Sequence, residues 1–145
     1  MFSKACEYGI KAIVFIAVKS RQDERVSLND IAWAIDSPVS FTSKILQKLV
    51  KSNLLDSVKG STGGFELKKS KAEKIKLSHV VSAIDGDSIY KGCGLGFHDC
   101  NEKKPCSLHY KFKLVRDDLR TMLESTSLLD LSNDINNGIT FLKQN

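Results

Sequence analysis

Residues 27–67 read SLNDIAWAIDSPVSFTSKILQKLVKSNLLDSVKGSTGGFEL, and this stretch decides the fold. Ser27 stands three residues before Asp30, a capping pair that predicts a short helix ending at the turn 36–38. We expect Ser40 to cap a second helix, because its short hydroxyl side chain can accept a backbone hydrogen bond. The inward face of that helix holds Phe41, Ile45 and Leu49. Two successive helices, the second with a polar and basic outer face, indicate a helix-turn-helix.

A glycine-rich hairpin follows directly. Residues 54–58 and 65–67 are short apolar-rich runs that predict two strands, and the loop Lys59–Gly64 between them holds three glycines. Small residues let backbone amides approach a sugar-phosphate chain closely. The hairpin therefore predicts the wing of a winged helix-turn-helix.

These two elements supply the candidate DNA contacts. The second helix of the pair has a width that suits the major groove, and polar side chains near its start can reach base edges. A merely solvated helix face is the alternative, but the hairpin that follows it favours DNA binding. The candidate contact residues are Ser40, Thr42, Ser43, Lys44 and Gln47 in the helix, and Lys59, Ser61 and Thr62 in the wing.

Helices are predicted on both sides of this region. Residues 4–20 carry apolar side chains at steps of three and four, which predicts a first core helix, and a further helix is expected at 77–84 after a Lys/Glu-rich connector. A long helix is predicted at 108–125, and Ser127 with Asp130 caps a last short helix. The expected fold class is mainly α with a small β-hairpin, a winged helix-turn-helix domain plus a long C-terminal dimerisation helix.

The long helix carries an apolar seam. Its members are spaced four, three, four and three residues apart, and they are Leu108, Phe112, Val115, Leu119 and Met122. Such a seam suits packing against another helix, so we expect a homodimer through it. The chain then divides into a DNA-binding domain (1–85), a cysteine-bearing loop (86–106) and a dimerisation segment with the last helix (107–145).

Charge is unevenly placed along the chain. Residues 1–80 hold 14 Lys/Arg against 8 Asp/Glu, whereas residues 81–145 hold 8 against 9. A basic N-terminal half is consistent with binding double-stranded DNA, although many soluble domains have a similar excess. No apolar run is long enough to cross a membrane, and the N-terminus does not resemble a secretion signal, so we expect a cytoplasmic protein without a membrane partner.

Three of the four cysteines fall within fourteen residues. Cys93, Cys100 and Cys106 lie in an aperiodic, glycine-rich stretch, so they do not resemble core thiols; Cys6 lies on an apolar helix face and does. Thiolates are soft ligands for zinc or iron-sulfur clusters. Structural zinc sites usually contain close cysteine pairs, which are absent here. The spacing favours a cluster and leaves zinc, a thiol redox switch and three unrelated thiols open.

The whole arrangement resembles the Rrf2 family of bacterial winged-helix transcription regulators, which includes IscR-like and NsrR-like proteins. The likeness lies in SFTSKILQKLVKSNLLDSVKGSTGGFELKKS (40–70), in KLSHVVSAIDG (76–86) and in the cysteine triplet. It implies a dimer crossed through the long helix, binding to palindromic promoters, and a [2Fe-2S] or [4Fe-4S] cluster that senses redox state, nitric oxide or iron-sulfur status. One departure is the first cysteine gap, which is six residues where well-known members have five.

The same resemblance offers two residues for a fourth ligand. His109 matches the histidine ligand of IscR-like proteins, and Glu7 matches the position where NsrR-like proteins bring an aspartate from the partner subunit. As ordinary structural residues, His109 would cap the long helix and Glu7 would pair with Lys11. His98, water or a small thiol are the remaining possibilities.

Other function classes have weaker support. An oxidoreductase using Cys93 or Cys100 would need a nucleophile-base pair or a nucleotide-binding motif, and neither is visible, so we expect no enzyme. An adaptor whose wing binds protein is a third possibility. Trp33 is expected in the core, and His79 is expected to be a helix residue without a partner.

Overall fold

The computed structural model describes residues 1–98 and 100–144. Its helices are α1 (Lys4–Ser20), α2 (Leu28–Ala34), α3 (Val39–Lys51), α4 (Lys69–Lys74), α5 (Leu77–Asp85), α6 (His109–Ser125) and α7 (Leu128–Asn136). One two-stranded sheet pairs β1 (Asp56–Val58) with β2 (Gly64–Glu66), and a single 3₁₀ turn covers Ser88–Tyr90. The predicted fold class, mainly helical with a small hairpin, is confirmed.

The core forms around α1. The Ser3 side chain caps this helix by accepting a hydrogen bond from the Cys6 amide at 3.0 Å. Its buried face holds Cys6, Ala12, Ile13, Ile16 and Ala17, and it packs against α3, α5 and α7. Cys6 is fully buried, so its assignment to the core is confirmed.

The first helix of the helix-turn-helix begins at its predicted cap, whereas the second helix begins before its predicted cap. The Ser27 side chain accepts from the Asp30 amide at 3.2 Å and starts α2. Helix α3, however, begins at Val39, directly after Pro38, with no side-chain cap. Proline fixes φ near the helical value, so the chain can turn helical before Ser40 is reached. The prediction of Ser40 as the cap is therefore wrong.

Trp33 was expected in the core, and this prediction is wrong. Helix α2 has seven residues and buries only Ile31 and Ala32. Trp33 follows them on the outer side and is 77% exposed, with Lys143 Nζ at 4.1 Å from the centre of its ring. A helix of seven residues buries only a narrow face, so a large apolar side chain outside that face stays exposed.

The wing is anchored to the body at its second strand. Phe65 and Val26 exchange backbone hydrogen bonds of 2.8 and 3.1 Å. Gly64 has a φ of +135°, and a Cβ on it would lie 2.7 Å from the Val26 carbonyl oxygen. Glycine is therefore required where the wing joins the body.

The C-terminal helices return to the core. Helix α7 begins where the Ser127 side chain accepts from the Asp130 amide, as predicted, and it packs against α1 and α4. Short antiparallel pairing joins the starts of α5 and α7: the Leu77 amide donates to Thr126, and the Leu128 amide donates to Ile75. Helix α7 therefore belongs to the same core as residues 1–85, and the division of the chain into three segments with separate roles stays a prediction.

Two smaller expectations need correction. The connector 68–76 contains helix α4, which was not predicted. Its single buried residue is Ala72, so the sequence there has no apolar periodicity that would indicate a helix. His79 has a partner, because its Nδ1 accepts from the Lys76 amide at 2.9 Å at the start of α5. Within the described residues, no helix is both long and apolar enough to cross a membrane.

Candidate functional site

The outer face of α3 presents polar side chains to solvent. Ser40, Lys44 and Gln47 are exposed, and Ser43 is half-buried. The Gln47 amide nitrogen donates to Ser43 Oγ at 3.3 Å. The inner face packs Ile45, Leu46 and Leu49 into the core, which fixes the rotation of the helix and so the direction of its polar residues. Four of the five helix residues selected from the sequence therefore lie on one accessible face.

Thr42 is the exception. Its side chain is 1% exposed, its hydroxyl donates to the Pro38 carbonyl at 2.7 Å, and it also hydrogen-bonds with Ser37. A hydroxyl bonded in this way stabilises the turn between α2 and α3, and the buried side chain is not accessible to DNA. Its expected role as a DNA contact does not agree with this burial.

The tip of the wing is open. Lys59, Ser61 and Thr62 are exposed, as a backbone-contacting loop requires. The Arg25 side chain braces the wing from below: Nε donates to Glu66 at 3.1 Å and Nη1 donates to the Thr62 carbonyl at 3.3 Å. No local pattern predicts this contact, because Arg25 precedes the helix-turn-helix and lies far from the wing along the chain.

Two of the three loop cysteines lie side by side. Cys93 Sγ is 3.6 Å from Cys106 Sγ, and both residues are half-buried. The Leu95 amide donates to Cys93 Sγ at 3.4 Å. This hydrogen bond stabilises the thiolate form and lowers the pKa of Cys93 below its usual value.

The third cysteine lies against α6. Cys100 Sγ is 3.3 Å from His109 Nδ1 and 3.1 Å from Arg116 Nη2. His109, the first residue of α6, is 3% exposed, so it is not a solvated cap residue. Its Nε2 has no hydrogen-bond partner among the residues that the structure describes. Arg116 is a further residue of this site that is not predicted from the sequence, although its spacing of seven residues from His109 places both on one helix face.

The four soft donors thus form two pairs, Cys93 with Cys106 and Cys100 with His109. Within residues 1–98 and 100–144 no group of three or more His, Cys, Asp or Glu side chains gathers into a metal site. Glu7 lies on α1 and contacts Lys4 at 3.4 Å, rather than the expected Lys11. His98 lies in the exposed loop, next to Asp99, which is outside the described residues.

This donor set fits an iron-sulfur cluster in its chemistry. Metal-thiolate bonds of about 2.3 Å put two sulfur ligands of one tetrahedral ion about 3.8 Å apart. The Cys93–Cys106 sulfur separation of 3.6 Å is close to that value, and the Cys100 Sγ to His109 Nδ1 separation of 3.3 Å is somewhat shorter than the roughly 3.6 Å expected for one sulfur and one nitrogen ligand. His109 Nε2 is buried and has no hydrogen-bond partner in residues 1–98 and 100–144, so an imidazole with unsatisfied bonding capacity lies beside the Cys100 thiol.

The seam of α6 faces partly outward. Leu108, Val115 and Met122 are 43%, 56% and 42% exposed, while Phe112 and Leu119 are half-buried. The neighbouring face of α6 turns His109, Arg116 and Leu123 inward against the chain's own residues. The helix therefore has one face used within the chain and one apolar face open.

Comparison with known proteins agrees with this architecture. A family model described as Rrf2, an iron-dependent transcriptional regulator, matches residues 2–134. A putative HTH-type transcriptional regulator of Aquifex aeolicus is 29% identical over 135 residues, 92% of each chain. IscR of Pectobacterium carotovorum is 29% identical over 127 residues, which cover 88% of this chain and 76% of that protein.

Solved structures share the fold. CymR, the global cysteine regulator of B. subtilis, superimposes with a TM-score of 0.75 at 20% identity, over 92% of this chain and 96% of that one. IscR of T. potens gives 0.71 at 21% identity, over 100% and 93%. CymR of Staphylococcus aureus in its oxidized form gives 0.70 at 24%, over 91% and 95%. With a family model that spans nearly the whole sequence, the chain belongs to the Rrf2 family of helix-turn-helix transcription regulators.

Proposed function

We propose that this regulator binds promoter DNA as a homodimer and that an iron-sulfur cluster on Cys93, Cys100 and Cys106 modulates its affinity for DNA. His109 is the proposed fourth ligand. The observation that carries the proposal is the contact of Cys100 Sγ with His109 Nδ1 at 3.3 Å, together with the separate pair of Cys93 and Cys106 sulfurs at 3.6 Å. The signal would be redox state, nitric oxide or iron-sulfur status.

The pairing of donors favours a [2Fe-2S] cluster over a [4Fe-4S] one. Each iron of a [2Fe-2S] cluster takes two protein ligands, and the chain offers two pairs of donors at ligand spacing. When bound, the cluster would supply a one-electron redox centre. The loop's own residues would hold it, since the Leu95 amide already donates to Cys93 Sγ and Arg116 to Cys100 Sγ.

His109 is preferred to Glu7 as the fourth ligand within one chain. Its imidazole is buried beside Cys100, whereas Glu7 is on α1 and contacts Lys4. A glutamate contributed by the partner subunit stays possible as an outcome of the test. The discriminating pair of variants is His109→Ala and Glu7→Ala, because only the variant that removes a ligand should change the absorption spectrum of the bound cluster.

Anaerobic purification tests the site itself. The parent protein should hold about two irons and two sulfides per chain for the favoured cluster type. The triple variant Cys93→Ala, Cys100→Ala, Cys106→Ala should hold neither. Cys6→Ala is the matched control, because Cys6 is buried in the core and should leave the iron count unchanged. Stoichiometric iron and sulfide in the triple variant would overturn the ligand assignment.

For DNA, we propose that α3 enters the major groove and that the wing lies along the backbone. Lys44 and Gln47 are exposed in the middle of α3, where base edges would be reached, and Lys59, Ser61 and Thr62 are exposed at the wing tip. Two copies joined through the open apolar seam of α6 would present two such units to a palindromic site.

A thiol-based regulator is the second candidate, and one observation favours it. Cys93 and Cys106 lie 3.6 Å apart, so the cluster-free chain could form a disulfide with little movement. A hydroperoxide would accept the two electrons and two protons of the thiols and leave as an alcohol and one water, or as two waters when it is hydrogen peroxide. In this case, peroxide would lower the mass of the protein by about two hydrogens and change DNA affinity, and no iron would be required. Bound zinc, the remaining alternative, would appear directly in metal analysis.

A further inference from the structure

Arg116 is a buried cation whose bonds all lead to the cysteine loop. Its side chain is 8% exposed although it lies in the middle of α6. Nη1 donates to the Gly92 carbonyl at 2.8 Å, and Nη2 donates to Cys100 Sγ at 3.1 Å. The guanidinium carbon also lies 5.7 Å from the centre of the Phe112 ring. One side chain thus joins the loop backbone, a candidate ligand sulfur and the long helix.

The charge of Arg116 lacks a carboxylate counterpart in the described part of the chain. None of the ion pairs found within residues 1–98 and 100–144 includes it, and its Nε is buried without a hydrogen-bond partner there. A buried cation is costly unless an anion lies beside it. The sulfur of Cys100 is the neighbour that can carry negative charge.

We infer that Arg116 is a positioning residue that holds Cys100 Sγ in place and favours the reduced form of the cluster. This inference rests on the proposed function. A cluster with three thiolate ligands and a neutral imidazole carries a net negative charge, and reduction adds one more electron. A nearby cation and a hydrogen bond to a ligand sulfur both stabilise the more negative state, so they raise the reduction potential.

The neighbouring arginine provides a matched control. Arg120 lies one turn further along α6, donates to the Tyr90 carbonyl at 3.5 Å, and stacks on the Tyr90 ring at 4.9 Å. It therefore ties the same loop to the same helix but has no contact with a cysteine sulfur among those found. Loss of Arg120 should loosen the loop without changing the charge next to Cys100.

The test compares midpoint potentials of anaerobically purified Arg116→Gln, Arg116→Lys, Arg120→Gln and the parent, followed by absorption during reductive titration. In Arg116→Gln we expect the ratio of reduced to oxidised cluster at a fixed potential to fall about tenfold or more, which for one electron is about 59 mV. Arg116→Lys should restore most of that ratio, because it restores the charge. Arg120→Gln should stay close to the parent.

The outcomes separate this inference from the proposed function. A parent protein without iron and sulfide would overturn both. A parent with a cluster whose midpoint is unchanged in Arg116→Gln, or one shifted equally by Arg120→Gln, would overturn the role of Arg116 alone. If Arg116→Gln fails to fold or to retain the cluster, Arg116→Lys is the deciding variant. A stable cluster with the parent's midpoint potential in Arg116→Lys would support the role of the positive charge. A midpoint potential as low as that expected for loss of the charge would contradict it.

Discussion

His109 and Arg116 stand seven residues apart on α6, and both reach Cys100 Sγ, at 3.3 and 3.1 Å. Two turns of one helix therefore approach a single sulfur atom from the same side. The open seam lies on the adjacent face of α6, since Leu108 and Val115 directly precede His109 and Arg116 in the chain. The residues proposed for sensing and those proposed for dimerisation therefore lie on neighbouring faces of one helix.

The first prediction concerns coupling between the cysteines and DNA. The triple variant Cys93→Ala, Cys100→Ala, Cys106→Ala should change operator affinity by about 5-fold to 150-fold, the usual range when two sites are linked. Fluorescence anisotropy with operator DNA under anaerobic conditions measures this change. Cys6→Ala is the control and should bind like the parent. Equal affinity of the cluster-free and cluster-bound forms at every promoter would make the thiols a site without a regulatory effect.

The second prediction separates base readout from backbone contact. Lys44→Ala and Gln47→Ala should lower affinity in a sequence-dependent way, by about 1–3 kcal/mol for a base contact. Lys59→Ala should weaken all sequences alike and reduce the slope of log affinity against log salt by about one. Lys113→Ala, on α6 and distant in sequence from both elements, is a charge-matched control. Parent-like operator binding by both α3 variants would refute the recognition-helix assignment.

The third prediction tests the seam. Val115 is 56% exposed and Met122 is 42% exposed on the open face of α6, so Val115→Glu and Met122→Glu should convert a dimer into a monomer. Sedimentation velocity at micromolar concentration reports the change. Glu124→Lys introduces a charge change on a different face of the same helix and should leave the dimer intact. A parent protein that sediments as a monomer would contradict the dimer proposal directly.

The fourth prediction concerns cysteine reactivity in the cluster-free protein. Burial raises the pKa of the Cys6 thiol to about 12, while the Leu95 amide lowers the pKa of Cys93. Only the thiolate reacts with iodoacetamide, so at pH 8 Cys93 should be alkylated quickly and Cys6 should resist. Peptide mass spectrometry over time measures both rates. In denaturant the two rates should converge, and a fast reaction of Cys6 in the folded chain would contradict the burial.

The fifth prediction compares two wing glycines. Gly60 and Gly64 both have positive φ, but a Cβ on Gly60 meets open space while one on Gly64 lies 2.7 Å from the Val26 carbonyl oxygen. Gly60→Ala should therefore lower the free energy of unfolding by about 1–2 kcal/mol from backbone strain. Gly64→Ala should lower it further, because the strand must also move away from Val26. Urea denaturation gives both values, and equal losses would count against the close contact.

Local signals explain what the sequence could predict. Helices α1, α2 and α7 and the wing follow from apolar spacing, capping side chains and glycines, all of which act over a few residues. The environments of Trp33 and Arg116 depend on residues distant in the chain, whereas Thr42 is buried by the local turn through its hydrogen bonds to Ser37 and Pro38. Arg116 resembles any helix-surface arginine until the loop carrying Cys100 folds back on it. The DNA contacts and the cluster ligands stay predictions.

The pairing between the starts of α5 and α7 has a consequence for how such regulators can change. Backbone hydrogen bonds join the chain at Leu77, where α5 begins, to the chain at Leu128, where α7 begins. Helix α5 packs on the core, and the cysteine loop that follows it belongs to a segment closed at its base, so lengthening that loop costs only the slow logarithmic term of loop closure. A sixth residue between Cys93 and Cys100 is therefore tolerable to the DNA-binding body. Insertions and deletions in the cysteine loop can therefore alter the proposed sensor while the core that carries α3 and the wing keeps its fold.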